Sequence, residues 1–402
     1  MKIQRILGGL IVTLVVGQQL LWADVDTPNT TMDAPNTTTI GKDYVTQQQL
    51  AQLKDIIDAQ VLKDVNANTV FSLSGFGTLG INVGQDTPTS GASIGPLSFT
   101  LAGKLAEDPV SDGDILWKLG FSGTSALAAT DAYFQWNILS NKQSLNPFFT
   151  ISLTGGQFKI PFGGDNLAAE DKLPTIKTAQ YLGATAFNMG RDVGLKAEGG
   201  FQNDTDPPTG FLIPLVGYSV AVLNGSGANA TDATNEKDVA LRLIYTPVTE
   251  YYAALGALKF GYSFYQGNSN YKTKTRIGYD FEYLKKPFLV TGESVGGVET
   301  TGVRESGYVL TFFYTPNTLP DFQPLLRVDQ YNSNIDQTGK GKTIYTVGFN
   351  YFLYQNDPSL ALSYDTLPAN RVIKIQVNYN IKREETNEIN NDEFLAQVVF
   401  NF

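Results

Sequence analysis

The chain contains neither cysteine nor histidine. Without cysteine no disulfide can brace it, so backbone hydrogen bonds and burial must hold the fold unaided. Without either residue, Cys and His metal sites and His-based nucleophilic triads are excluded, and with them most hydrolase and zinc chemistry. We therefore expect no catalytic residue, no metal site and no cofactor. Basic residues are scarce as well: 29 Lys and Arg against 39 Asp and Glu leave a net charge of −10. So acidic a chain is a poor partner for nucleic acid, and none is expected. Long apolar runs are missing too. Beyond the N-terminal segment, no stretch reaches the ~18 consecutive apolar residues that a membrane helix needs.

What is present starts with an export signal. Lys2 and Arg5 precede an apolar run from Ile6 to Val16, and Leu21-Trp22-Ala23 offers a cleavage site, so residues 1–23 read as a signal peptide. Its removal takes the net charge from −10 to about −12. Residues 24–43, rich in Thr, Asn and Pro, read as a flexible linker. Residues 44–66 then place Leu50, Leu53, Ile57 and Val61 on one stripe of a short helix. It is too short to stand alone in water. Either it packs on the body of the protein or it pairs with copies of itself as a short coiled coil.

From Phe71 onward the period changes to two. Tyr271, Thr273, Thr275, Ile277, Tyr279 and Phe281 share one face, while Lys272, Lys274, Arg276, Asp280 and Glu282 share the other. Ile373, Ile375, Val377, Tyr379 and Ile381 oppose Lys374, Gln376, Asn378, Asn380 and Lys382 in the same way. Repeated along the chain, such alternation describes a wall with lipid on one side and water on the other. The 24 Phe and 20 Tyr suit the aromatic girdles that membrane barrels place at their two interfaces.

Strand-like runs begin near residues 71, 93, 114, 130, 148, 191, 213, 237, 257, 271, 287, 304, 322, 342, 371 and 393. A weaker run, Ser359 to Asp365, would make the total odd, and bacterial barrels need an even number to bring both ends to the periplasmic side. The last run, Glu393 to Phe402, alternates Phe394, Ala396, Val398, Phe400 and Phe402 against Leu395, Gln397, Val399 and Asn401. A terminal aromatic strand of this kind is what the barrel-assembly machinery of bacterial outer membranes reads. The expected fold class is therefore all-β: a 16-stranded antiparallel transmembrane β-barrel over residues 69–402, with a short N-terminal periplasmic helix. The bacterial outer membrane is its expected place, with outer-membrane lipid around it and Phe402 as the contact for the assembly machinery. The long segments Gly163–Gly190, Gly225–Glu236 and Arg383–Asp392 then all fall at the outer end.

Two motifs carry no chemistry. Gly75-Phe76-Gly77-Thr78-Leu79-Gly80 fits GxGxxG, but no helix follows to hold a pyrophosphate, and the glycines suit a twisted strand. Asn203-Asp204-Thr205-Asp206 suggests calcium only superficially, since Pro207-Pro208 makes it a solvated turn.

The informative segment is Thr154 to Gly200. One strand ends in Gly156-Gln157-Phe158-Lys159-Ile160-Pro161-Phe162-Gly163, the next starts at Arg191-Asp192-Val193-Gly194-Leu195, and a long connection lies between. It alternates Asp165, Glu170, Asp171, Lys172 and Lys177 with Leu173, Ile176, Tyr181, Leu182, Phe187 and Met189, so it folds back onto a surface. Inside a barrel such a loop narrows the channel. These two flanking stretches resemble the signature segments of the phosphate-selective porin O and P family. Leu223-Asn224-Gly225 with Lys237-Asp238, Gly348-Phe349-Asn350-Tyr351-Phe352 and the terminal Phe402 extend the likeness across roughly 150–402. The resemblance implies a homotrimeric outer-membrane channel for passive diffusion of small hydrophilic solutes or ions, with an inward-folded third outer loop.

The resemblance also raises an anion or phosphate preference, on which the lumen charges are mixed. The candidate pore residues are Lys159, Lys172, Lys177, Arg191, Lys196, Arg242, Lys272, Lys274 and Arg276, opposed by Asp165, Glu170, Asp171 and Asp192. Most inward charges read equally as cross-strand ion pairs bracing the wall. Lys159, Lys172, Lys177 and Arg191 stand apart, because they belong to or flank the loop. A general or cation-preferring pore remains open, as does a surface β protein with an adhesive or structural role.

Overall fold

The structure is a computed structural model, and it describes residues 71–401 except 86–89, 107–113, 125, 140–148, 184–188, 206–211, 233–234, 249–255, 270–271, 354–372 and 387–388. The signal peptide, linker and helix expected over residues 1–66, the Ser359–Asp365 run and Phe402 all lie outside the described residues. Sixteen antiparallel strands close on themselves, each paired with its neighbours in sequence and the last with the first. They are β1 Phe71–Gly84, β2 Gly91–Ala106, β3 Ile115–Gly123, β4 Ala128–Leu139, β5 Phe149–Lys159, β6 Arg191–Thr205, β7 Leu212–Leu223 and β8 Asp238–Val248. The second half comprises β9 Ala257–Ser269, β10 Lys272–Lys285, β11 Phe288–Val298, β12 Arg304–Tyr314, β13 Phe322–Asn332, β14 Gly341–Leu353, β15 Ile373–Glu384 and β16 Glu393–Asn401. Every strand starts within two residues of its expected position. The GxGxxG glycines lie on β1, as a strand reading requires.

Closure follows from the medium. In lipid no water can satisfy an open sheet edge, so the edge strands must pair with each other. Here Phe76 faces Asn401 and Gly84 faces Glu393 across the β1–β16 seam. The two faces of the wall divide as the alternation predicts. On β10, Ile277, Tyr279 and Phe281 are exposed outward, whereas Arg276, Gly278 and Asp280 turn in. On β15 the inward Lys374, Gln376, Asn378 and Asn380 are all buried. Outward aromatic pairs gather toward the end at which β1 starts: Phe149–Phe201 at 4.9 Å between ring centroids, Phe288–Phe312 at 5.6 Å and Phe322–Phe349 at 5.3 Å. They form a girdle of the kind that marks a membrane interface.

The connection between β5 and β6 enters the barrel. It contains helical turns at Gly164–Leu167 and Gln180–Gly183 and a 3-10 turn at Glu170–Lys172. Its apolar residues Phe162, Ala179, Tyr181 and Met189 are buried in one cluster with Leu223, Ala240, Tyr265, Val295 and Val309 of the inner wall. Missing side chains make the room. A Cβ on the inward Gly278 of β10 would come 3.2 Å from the Phe162 ring, and one on Gly307 of β12 would come 3.0 Å from Tyr181. Fully burying each such aromatic side chain contributes about 1.5–3 kcal/mol. The loop is thus seated on β7–β12 by packing, as a hydrophobic plug would be.

Candidate pore and its constriction

The loop's polar backbone needs partners once it leaves water, and inward side chains supply them. At its root, Gly163 adopts φ 70°, a left-handed conformation that favours glycine, and its N–H donates to Ser263 Oγ at 3.0 Å. The N–H groups of Gly164 and Asp165 both donate to Glu293 Oε2 at 2.9 Å. Beside them Arg242 donates twice to Asp280, at 2.7 and 2.9 Å, and once to Ser263 Oγ at 2.8 Å. At mid-loop, Arg327 donates to Thr175 Oγ1 at 2.6 Å and lies 3.7 Å from Asp165. Asp329 accepts the Gln180 N–H at 2.9 Å, and Asn378 Oδ1 accepts that of Ile176 at 2.8 Å. Tyr181 is fully buried, and burial pushes its phenol well above the ordinary tyrosine value, so it stays neutral.

Opposite the packed side, cavities remain between the loop and the wall of β1–β4 and β13–β16. One cavity of about 480 Å³ is bordered by Lys177, Gln180, Arg327, Thr346, Asn378 and Gln397. A second, of about 360 Å³, lies against β1–β6 and the start of β15. It gathers five cations, Lys118, Lys159, Lys172, Arg191 and Lys374, and three carboxylates, Asp131, Glu170 and Asp171. Asp131 is held by Lys118 and by Arg191, each at 2.8 Å. Lys159 donates to the carbonyls of Asn166 and Ala168 at 3.0 and 2.7 Å, and Lys374 to those of Asp171 and Leu173 at 2.6 and 2.9 Å. These bonds go to neutral carbonyls, and the charged side chains lining the cavity number two more cations than carboxylates.

The expected pore residues therefore separate. Lys159, Lys172, Arg191, Glu170 and Asp171 meet in the second cavity. Lys177 borders the first and is held by Glu393 at 2.6 Å. Arg242 and Asp165 line a recess of about 200 Å³ beneath the loop. The others lie elsewhere on the wall. Lys196 bonds Glu198 at 2.7 Å and lies over the Phe158 ring. Arg276 bonds Glu299 at 2.6 Å. Lys274 is 4.0 Å from Asp238, and Lys272 opens β10 opposite Ser269. Asp192 accepts the N–H of Gly225 at 2.7 Å and so clamps the next outer loop. Sequence reasoning overlooked Lys118 and Asp131. Their signal was present in the alternation of Lys118, Gly120 and Ser122 against Trp117, Leu119 and Phe121, and of Asp131, Tyr133 and Gln135 against Phe134 and Trp136.

Set beside solved structures, this arrangement has the architecture of bacterial porins. Salmonella typhi OmpF, solved in complex with daunomycin, is similar with a TM-score of 0.56 at 10% identity, over 83% of this chain and 97% of that one. An engineered variant of the Rh. blastica porin matches at 0.50 and 12%, over 83% and 100%. Outer-membrane expressed OmpT of Vibrio cholerae matches at 0.50 and 9%, over 83% and 97%. At these identities the likeness is one of fold. No family model matches the chain, and no curated protein matches it.

Proposed function

We propose that the protein is a passive porin of the bacterial outer membrane, admitting small hydrophilic solutes and ions through a lumen narrowed by the inward loop. The observation that carries this reading is the pair of cavities, lined largely by polar and charged side chains, left beside that loop within the barrel. The exposed apolar exterior and its aromatic girdle support a membrane location. Residues 1–23 would then direct export, Phe402 would engage the assembly machinery, and the working form would be a homotrimer. Permeation needs no energy source and no reacting group.

Within this reading we assign a preference for small anions, the class to which phosphate belongs. Its support is the excess of Lys and Arg over carboxylates in the second cavity, and the resemblance to the phosphate-selective porin O and P segments around Lys159 and Arg191. The acidic balance of the whole chain argues for a cation-preferring pore instead. Planar-bilayer recording of the purified protein decides. Stepwise conductance is expected, with a reversal potential in a potassium chloride gradient on the chloride side and partial block by inorganic phosphate. Absence of steps would refute the porin. A cation-side potential would refute the anion preference alone. Neutralising Lys172 and Lys177 together should move the potential toward cations, and an unmoved potential would take the loop out of the constriction.

A further inference from the structure

The two cavities beside the loop are stacked along the strands. On β14 the border passes from Thr346 in one cavity to Phe352 in the other, and on β15 from Asn378 to Lys374. On β16 it passes from Gln397 to Asn401, and on β1 from Thr78 to Ser74. At every step the residue nearer the end where β1 starts belongs to the more basic cavity. Among the described residues, two border both: Phe76, between Thr78 and Ser74 on β1, and Glu170, in the 3-10 turn of the loop. The junction of the two cavities is thus bordered by an aromatic residue of the wall and an acidic residue of the loop. The recess under Arg242 touches the basic cavity at Leu167 and has no border residue in common with the other cavity, so it is a side chamber rather than a parallel route.

The chemistry of that junction differs from the spaces on either side of it. Asn378, Asn380, Thr346 and Gln397 can replace the water around a solute on one side, and Ser74, Ser98, Thr100 and several cations can do so on the other. A phenyl ring cannot. An ion reaching Phe76 must keep a thin hydration shell or shed it without compensation, while Glu170 opposes an approaching anion from across the gap. Phe76 is half-buried and Glu170 exposed, so both groups stand at the water boundary.

We infer that Phe76 and Glu170 form the size-determining bottleneck of the passage, an aromatic-and-carboxylate gap that admits small hydrated solutes and excludes bulky ones, with the basic residues acting only beyond it. This rests on the porin reading. It predicts that Phe76 governs conductance, while ion preference follows the balance of Glu170 against the Lys and Arg cluster.

The chain has no cysteine, so Phe76→Cys places one thiol in the whole barrel. The experiment records single channels of the full protein and of Phe76→Ala, Phe76→Trp and Phe76→Cys at saturating salt. Opening the gap should raise unitary conductance roughly twofold in Phe76→Ala, and filling it should lower conductance by a similar factor in Phe76→Trp. Adding a charged methanethiosulfonate to open Phe76→Cys channels should cut the current in one step. Leu73→Ala and Leu79→Ala, outward-facing positions on the same strand, should conduct like the unaltered protein. If Phe76→Ala does not assemble, the tryptophan and cysteine variants decide alone. Conductance unchanged in every Phe76 variant overturns the bottleneck while leaving the porin standing. An unaltered protein without conductance steps overturns the porin reading, and the inference with it.

Discussion

The inner wall has two halves that treat the same loop in opposite ways. Against β7–β12 the loop is packed by apolar side chains: Phe162 and Tyr181 enter space left by Gly278 and Gly307, and Glu293 and Ser263 cap the backbone of its root. Against β13 and β15 it is held by direct hydrogen bonds with Arg327, Asp329, Lys374, Gln376 and Asn378, and cavities lined by amides, hydroxyls and charges remain beside it. The first half fixes where the loop sits; the second leaves the space that a solute can use. The difference is written in residue size. Inward glycines on the packed side invite aromatic rings, while inward Asn, Gln and Lys on the other side keep the loop at a hydrogen bond's distance. One segment thereby fills part of the barrel and leaves cavities in the rest.

If that division is right, damage to the packed half should be the more severe. Arg242→Ala is expected to be the largest loss. It strands the partly buried Asp280, which now receives two hydrogen bonds from the buried Arg242, and breaking such a pair costs up to about 3–5 kcal/mol when both partners are buried. The readout is the temperature at which the folded, detergent-resistant form disappears, and a variant as heat-resistant as the unaltered protein would break the comparison. Phe162→Ala should follow at about 3 kcal/mol, felt locally as a loosened loop. Open-channel current noise and protease cleavage within residues 163–183 should both rise. On the open half, Lys177→Ala removes a pair whose lysine side chain is 53% exposed, so stability should change by less than ~1 kcal/mol. A shift as large as that of Phe162→Ala would mean that both halves anchor the loop alike. Smallest in stability should be Lys172→Gln, which leaves the melting behaviour unchanged and moves only the reversal potential toward cations.

The wall was legible in the sequence because its physics is local. Alternation with period two needs only neighbouring residues, and it placed β9, β12, β13 and β16 at their observed first residues. Parity of strand number removed the Ser359–Asp365 run without any structural knowledge. The mixture of charged and apolar residues in the β5–β6 connection pointed to a segment folded onto a surface. Which surface was not legible. Gly278 and Gly307 look like any strand glycines until Phe162 and Tyr181 are placed against them, and those pairs are separated by more than a hundred residues of chain. Lys159 and Lys374 likewise could not be foreseen as bonded to loop carbonyls, since the loop's path is set by packing elsewhere. Ion pairs such as Arg242–Asp280 follow the expected bracing of the wall, yet Asp192 turned out to bind backbone rather than a cation.

The seam between β1 and β16 has a further consequence. Phe76 faces Asn401 there, and Glu393, which receives Lys177, sits on the last strand. The residues that the loop packs against, on β7–β12, all precede these last contacts in the chain. A barrel still waiting for its final strand could therefore already hold its loop in place, but it would have no calibrated aperture. On the bottleneck reading, the aperture beside Phe76 is complete only once β16 has paired with β1.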